Sequence, residues 1–99
     1  KYPNTEQWLK YGGGLRFTSK GEGKIEVRIS DPGGSTPNWI QIVGSFSDAL
    51  DWAEENIMSS IEGNQQIMDS YLSGEVPWGE DEVLYPVGLP PVKKPEHLK

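Results

Sequence analysis

From Phe46 to Leu72 the apolar residues return with the period of an α-helix, and no other pattern in the chain lasts as long. Phe46, Leu50, Ala53, Ile57, Ile61, Ile67, Met68, Tyr71 and Leu72 fall on one side of a helical wheel. Gly63 lies inside the pattern without shifting its phase, and an interior glycine costs only about 1 kcal/mol relative to alanine. The stripe therefore predicts either one helix from about Ser47 to Leu72 or two coaxial pieces meeting at Gly63, with the continuous form preferred. Its start is marked by Ser45 or Ser47 as a cap and by Asp48 at the positive end of the helix dipole, its end by Gly74 and Pro77.

A helix apolar along one side needs a surface to lie on, and the preceding residues supply one. Leu15 and Phe17 alternate with Arg16 and Thr18, and Ile25, Val27 and Ile29 alternate with Lys24, Glu26, Arg28 and Ser30, as in strands with one buried face. Gly21-Glu22-Gly23 reads as a hairpin turn between them. Asp31 to Pro37 reads as a loop, and Asn38 to Val43 as a third strand with Ile40 and Ile42 on one face and Trp39, Gln41 and Val43 on the other, both partly covered. Pro3 to Tyr11, followed by three glycines, carries the punctuation of a short helix with Asn4 or Thr5 as its cap. After Gly74 come five prolines, Pro77, Pro86, Pro90, Pro91 and Pro95, so that part is expected to be extended or loosely packed. The fold class is α+β: a short N-terminal helix, a three-stranded antiparallel meander, one long helix packed on the sheet, and an extended proline-rich C-terminal tail. With 99 residues there is room for one core. Residues 1–92 are read as a single acidic domain and 93–99 as a mobile basic tail.

Charge is laid out unevenly. Lys1, Lys10, Arg16, Lys20, Lys24 and Arg28 outnumber Glu6, Glu22 and Glu26 in the first part, whereas positions 29 to 92 hold no Lys or Arg and carry Asp31, Asp48, Asp51, Glu54, Glu55, Glu62, Asp69, Glu75, Glu80, Asp81 and Glu82. The net charge is −6. Such a field repels nucleic acid and attracts basic surfaces, so direct nucleic-acid binding is not expected. No apolar run approaches the roughly 20 residues of a membrane span and no signal-type leader is recognisable, which gives a cytoplasmic expectation, that of a host cell included.

Catalytic chemistry finds few residues to use. Without cysteine, thiolate catalysis, thiolate metal sites and disulfides are excluded. The single histidine, His97, stands near the end of the proline-rich tail, which argues against a Ser/His/Asp arrangement or a histidine metal site. Gly21-Glu22-Gly23-Lys24 lacks the rest of a phosphate-binding loop, and neither Asp31-Pro32-Gly33-Gly34 nor Glu80-Asp81-Glu82 has the ligand spacing of a calcium loop. The expectation is a protein without catalytic residues, metal or cofactor.

What remains is a line of acids. Asp48, Asp51, Glu55, Glu62 and Asp69 cluster on the helix away from the apolar arc, and four of them recur at seven-residue intervals. An ordinary solvated helix face would look similar, except that such faces commonly pair acids with Lys or Arg four residues on, and none is present here. Trp52 lies on the wheel away from the apolar arc and Trp78 sits in Val76-Pro77-Trp78-Gly79, so one of them is a candidate exposed aromatic beside the carboxylates, unless the tail folds back and covers it. Asp48 to Asp69 would span about 32 Å, over which one DNA strand presents roughly nine phosphates. The helix alone is too sparse for mimicry, and Glu54, Glu75 and Glu80 to Glu82 would have to fold alongside it. The candidate partner-binding residues are Asp48, Asp51, Trp52, Glu55, Glu62, Asp69, Glu80, Asp81 and Glu82.

Two resemblances bear on this. The order helix, three strands, helix is similar to that of the double-stranded RNA-binding domain; that family grips phosphates with lysines at the start of its last helix, where this chain reads Ser47-Asp48-Ala49-Leu50-Asp51. The resemblance implies the topology and not the RNA binding. Gly44 to Glu55, a strand turning into an acidic helix, and Gly74-Glu75-Val76-Pro77 resemble HicB-type antitoxins, although that family's Pro-Asp-Leu-Pro-Gly segment and DNA-binding C-terminus are missing. The leading expectation is an inhibitor or decoy of the phage or mobile-element, anti-defence kind, occupying a basic, nucleic-acid-binding surface of a target protein. The alternatives are an antitoxin or immunity-type protein paired with one toxin, and an assembly module docking through Val83 to Val92.

Overall fold

A computed structural model of the chain describes residues 1–32 and 39–98. The elements are α1 (Pro3–Lys10), β1 (Gly14–Gly21), β2 (Lys24–Ser30), β3 (Trp39–Val43), α2 (Phe46–Leu72), β4 (Val83–Leu84), β5 (Val92–Lys93) and a short 3-10 turn, Glu96–Leu98. The α+β architecture is the expected one. Residues 33–37 of the predicted loop, together with Asn38 and Lys99, lie outside the described residues.

The meander is antiparallel in the order β1-β2-β3, with Phe17 opposite Val27 and Val27 opposite Gln41. Glu22 and Gly23, at φ of 55° and 78°, form its first turn, a backbone shape that matches the twist of a hairpin. One face, carrying Leu15, Phe17, Ile25, Val27, Ile29, Trp39 and Val43, packs into the core. The other face is uncovered: Ile40 and Ile42, expected to be partly buried, are 49% and 53% exposed because no layer lies over them among the described residues.

α2 is a single helix of 27 residues, so Gly63 does not break it. Ser45 is its cap, with Oγ accepting from the Asp48 amide at 3.0 Å. The buried stripe is Ala49, Ala53, Ile57, Ile61, Asn64 and Met68. The direction is that of the predicted arc, but the membership differs. Phe46 and Ile67 are half exposed, and the polar Asn64 takes a buried place because its amide donates to the Val87 carbonyl at 2.8 Å.

At about 1.5 Å per residue α2 is roughly 40 Å long, more than a three-stranded sheet can cover. Its beginning lies at the sheet, where the Phe46 and Phe17 rings meet at a tilt, 5.0 Å between centroids. Its second half is covered by the tail. Trp78 is buried, packs edge-on against Tyr71 at 5.8 Å and donates from Nε1 to the Tyr71 carbonyl at 2.8 Å. From there the chain doubles back past Asn64, and Gly88 and Leu89 are buried beside Ile61 and Trp8. It then returns so that Val92 pairs with Leu84 and Lys93 with Val83. The tail is extended, as expected, but closely packed rather than loose. In the Val83 to Val92 segment, a candidate for docking on another subunit, Leu84, Val87, Leu89 and Val92 pack into the protein's own core and Tyr85 is exposed. Of the segment expected to be mobile, Lys94 donates its amide to the Glu82 carbonyl at 2.9 Å and Leu98 lies against Gly74.

α1 lies beside α2, and Trp8, 1% exposed, is its contribution to the core. The indole fills the space between Gly13 and Gly88, both of which lack room for a side chain, and Nε1 donates to the Gly14 carbonyl at 3.1 Å. Gly88 ties the tail to α1 through its amide, which donates to the Tyr11 carbonyl, and its own carbonyl, which accepts from Gln7 Nε2 at 2.8 Å.

Candidate protein-binding ridge

The acids of α2 divide into two groups by where the helix aims them. Glu54 points at α1. The N-cap of α1 is Tyr2, which has no capping side chain, and Asn4 and Thr5, expected to cap, already lie inside the first turn. Their free donors are met from the neighbouring helix: Glu54 accepts from the Asn4 amide at 3.1 Å, Asn4 Nδ2 at 2.6 Å, the Thr5 amide at 2.9 Å and Thr5 Oγ1 at 3.0 Å. Burial pushes the Glu54 carboxyl up, but these four hydrogen bonds to its charged form outweigh burial and hold it below the usual glutamate value.

A depressed carboxyl contributes stability that is present above its unfolded-state pKa and is lost as the pH falls through the folded-state value. Replacing Glu54 by Gln should therefore cost about 1–2 kcal/mol at neutral pH, the usual effect of losing a cap, and lower the Tm by about 5–10 °C. The gap between wild type and variant should close as both are titrated into acid, which thermal unfolding followed by circular dichroism across pH would show.

The second group faces outward. Asp48, Asp51, Glu55, Glu62 and Asp69 are all exposed, on the side of α2 opposite the buried stripe. Asp51 accepts from the Tyr2 hydroxyl at 3.3 Å, and partial burial together with the Asp51 charge holds that phenol above the usual tyrosine value. Asp69 accepts from Gln65 Nε2 at 2.9 Å. Among the described residues the ion pair is Lys20 with Glu26 at 3.6 Å, on the sheet, and no cation stands within ion-pair distance of the ridge. Asp51 and Glu55, four residues apart, repel each other by a few tenths of a kcal/mol. The helix holds five carboxylates along about 32 Å in fixed spacing.

The other predicted site residues lie elsewhere. Trp52 is half buried and packed against the core, and Trp78 is buried, so neither is an exposed aromatic beside the ridge. Glu80, Asp81 and Glu82 are exposed, but the tail approaches α2 on its buried side, so they sit near the C-terminal end of the helix, with Lys94 bonded to the Glu82 carbonyl. They do not fill the gaps between Asp48 and Asp69. With Glu54 committed to α1, the line keeps its low density.

Among the described residues the exposed large aromatics are Phe46, at the start of α2, and Tyr85. Tyr85 is 76% exposed and, with Ile67, Pro86 and Asn64, lines a groove of about 250 Å³ where the tail crosses α2. Nothing in the local sequence separates Tyr85 from a tail residue packed inward; its exposure follows from Leu84 and Val87, which pack against the core on either side of Tyr85-Pro86. Among the described residues no three His, Cys, Asp or Glu side chains are grouped to hold a metal ion, and no helix is long and apolar enough to cross a membrane. His97 is exposed in the 3-10 turn.

Comparison with protein-family models found no match, and searches of curated proteins and of solved structures returned no significant one.

Proposed function

We propose that the protein is a non-enzymatic inhibitor, of the kind phages and mobile elements encode, that lays the outer side of α2 on a basic surface of a nucleic-acid-handling protein. The observation that supports this is the ridge itself. Five exposed carboxylates are held on one helix, without a cation in ion-pair distance among the described residues, in a chain that spends another acid of the same helix, Glu54, on structure. Charges left to repel one another gain most from a partner that supplies cations. Their spacing suits a row of Lys or Arg side chains better than it imitates one strand of a duplex, whose phosphates are about twice as dense. An antitoxin or immunity-type protein would use the same ridge against one cognate basic toxin.

The test is binding to candidate nucleic-acid enzymes over a range of salt, with duplex DNA as competitor. Affinity should fall steeply with salt, duplex should displace the protein, and a variant with Asp48→Asn, Asp51→Asn, Glu55→Gln and Glu62→Gln should bind at least tenfold more weakly, because close charge pairs across an interface couple by about 1.5 kcal/mol or more. Binding that ignores salt, or a variant that binds like wild type, would remove the ridge from the account.

A further inference from the structure

β3 is the edge of the sheet that, among the described residues, lacks the charges and bulges that discourage a further strand. β1, the other edge, carries Arg16 and Lys20 and ends in an irregular register between Ser19 and Gly21, and charges and bulges are the means by which exposed edges avoid pairing. Trp39–Val43 has no charge, no proline and an unbroken register with β2. Among the described residues no strand pairs with its outer side. The Ile42 amide donates to the Gln41 side-chain oxygen at 3.1 Å, which shows that this N–H points away from β2. By the alternation of an antiparallel ladder, Ile40 presents its backbone groups to the same open side.

We propose that β3 pairs antiparallel with β3 of a second copy of this chain, about a two-fold axis at Gln41, to give one continuous six-stranded sheet. In that register Ile40 of each copy stands opposite Ile42 of the other as a hydrogen-bonded pair, and Trp39 stands opposite Val43. The strand is its own complement, as a two-fold interface requires. A shift of two residues in either direction leaves one isoleucine pair instead of two. Charge agrees with the same register. On the outer face the row Arg16, Arg28, Ile40 of one copy continues into Ile42, Glu26, Thr18 of the other, so no like charges face each other across the seam. Five paired residues bury less than the roughly 1,600 Å² of a standard stable interface, so the dimer is weak, with a dissociation constant between about 10 μM and 1 mM.

This pairing is independent of the ridge and responds oppositely to salt. Each copy carries −6, so added salt screens their repulsion and strengthens the dimer while it weakens binding through the ridge. The test is the mass of the full chain by sedimentation equilibrium from about 10 μM to 1 mM, at low and high salt. The wild type should move toward twice the chain mass, more so at high salt. Ile42→Pro removes an edge N–H that β2 does not use, and Ile40→Lys with Ile42→Lys puts like charges on the outer face; both should stay monomeric. Circular dichroism melts identify any variant that fails to fold, and the lysine pair, at exposed positions, serves if the proline variant does. A wild type that remains monomeric at about 1 mM, or a folded variant that dimerises as the wild type does, overturns the proposal.

Discussion

A chain ending at Gly74 will not reach a cooperative folded state. The residues it loses include Trp78 and Leu89, both buried, and Leu84, Val87 and Val92, packed against the core. At about 2 kcal/mol for each such side chain, their burial amounts to about 10 kcal/mol before the entropy of ordering the tail is set against it. A domain of this size has a total stability of about 5–15 kcal/mol. Truncation also uncovers Trp8, Ile61 and Met68, leaves the Asn64 amide without the Val87 carbonyl, and frees the Tyr11 carbonyl from Gly88. Circular dichroism should show residual helix without a sharp thermal transition, and the truncated chain should bind a hydrophobic dye that the full chain excludes. A sharp transition near the wild-type Tm would show that the sheet and the two helices are sufficient.

Replacing Trp8 by Ala should cost about 3–5 kcal/mol, the largest effect expected of a single substitution here. The side chain is almost fully buried, it touches elements from both ends of the chain, and its loss leaves the Gly14 carbonyl without its donor. Its fit to Gly88 makes a sharper statement. Gly88 has φ of +80°, and a methyl there would sit 2.6 Å from Cε3 of Trp8 and 3.0 Å from Cγ1 of Ile61. Gly88→Ala should therefore cost about 3 kcal/mol in the wild type, from overpacking together with the left-handed backbone. In a Trp8→Ala background the indole clash is gone, so the cost should fall to the backbone term of about 1 kcal/mol and whatever the tight contact with Ile61 adds. Urea unfolding of the two single variants and the double variant measures that difference. Additive costs would mean that the tail does not rest on the indole.

The sequence carried the elements and their order because periodicity is local: the run from Phe46 to Leu72 and the alternation from Lys24 to Ser30 each need a few residues to be read. What it did not carry are pairings between distant residues. Glu54 looked like one more acid on the helix and turned out to cap α1, some fifty residues earlier, because helix capping from another element leaves no short-range motif. Asn64 carries no local signal that marks it as buried, and it is the seat of the tail. The prolines suggested a loose segment, yet proline fixes backbone shape without deciding whether Trp78, Val87 and Leu89 find a surface. The ridge was legible for the same reason the helix was, since Asp48, Glu55, Glu62 and Asp69 share one side of a regular element. The placement of Trp52 was not, because the wheel does not show that neighbouring elements reach round the helix to half bury it.

The central claim is that Asp48, Asp51, Glu55 and Glu62 are displayed for a partner while Glu54 holds the fold, and unfolding by denaturant at neutral pH and low salt tests it without a partner in hand. The variant with Asp48→Asn, Asp51→Asn, Glu55→Gln and Glu62→Gln should match the wild type within about 1 kcal/mol, as exposed and mutually repelling charges do, while Glu54→Gln loses about 1–2 kcal/mol. A fourfold variant destabilised well beyond Glu54→Gln would contradict the account, because the ridge would then be part of what keeps the chain folded.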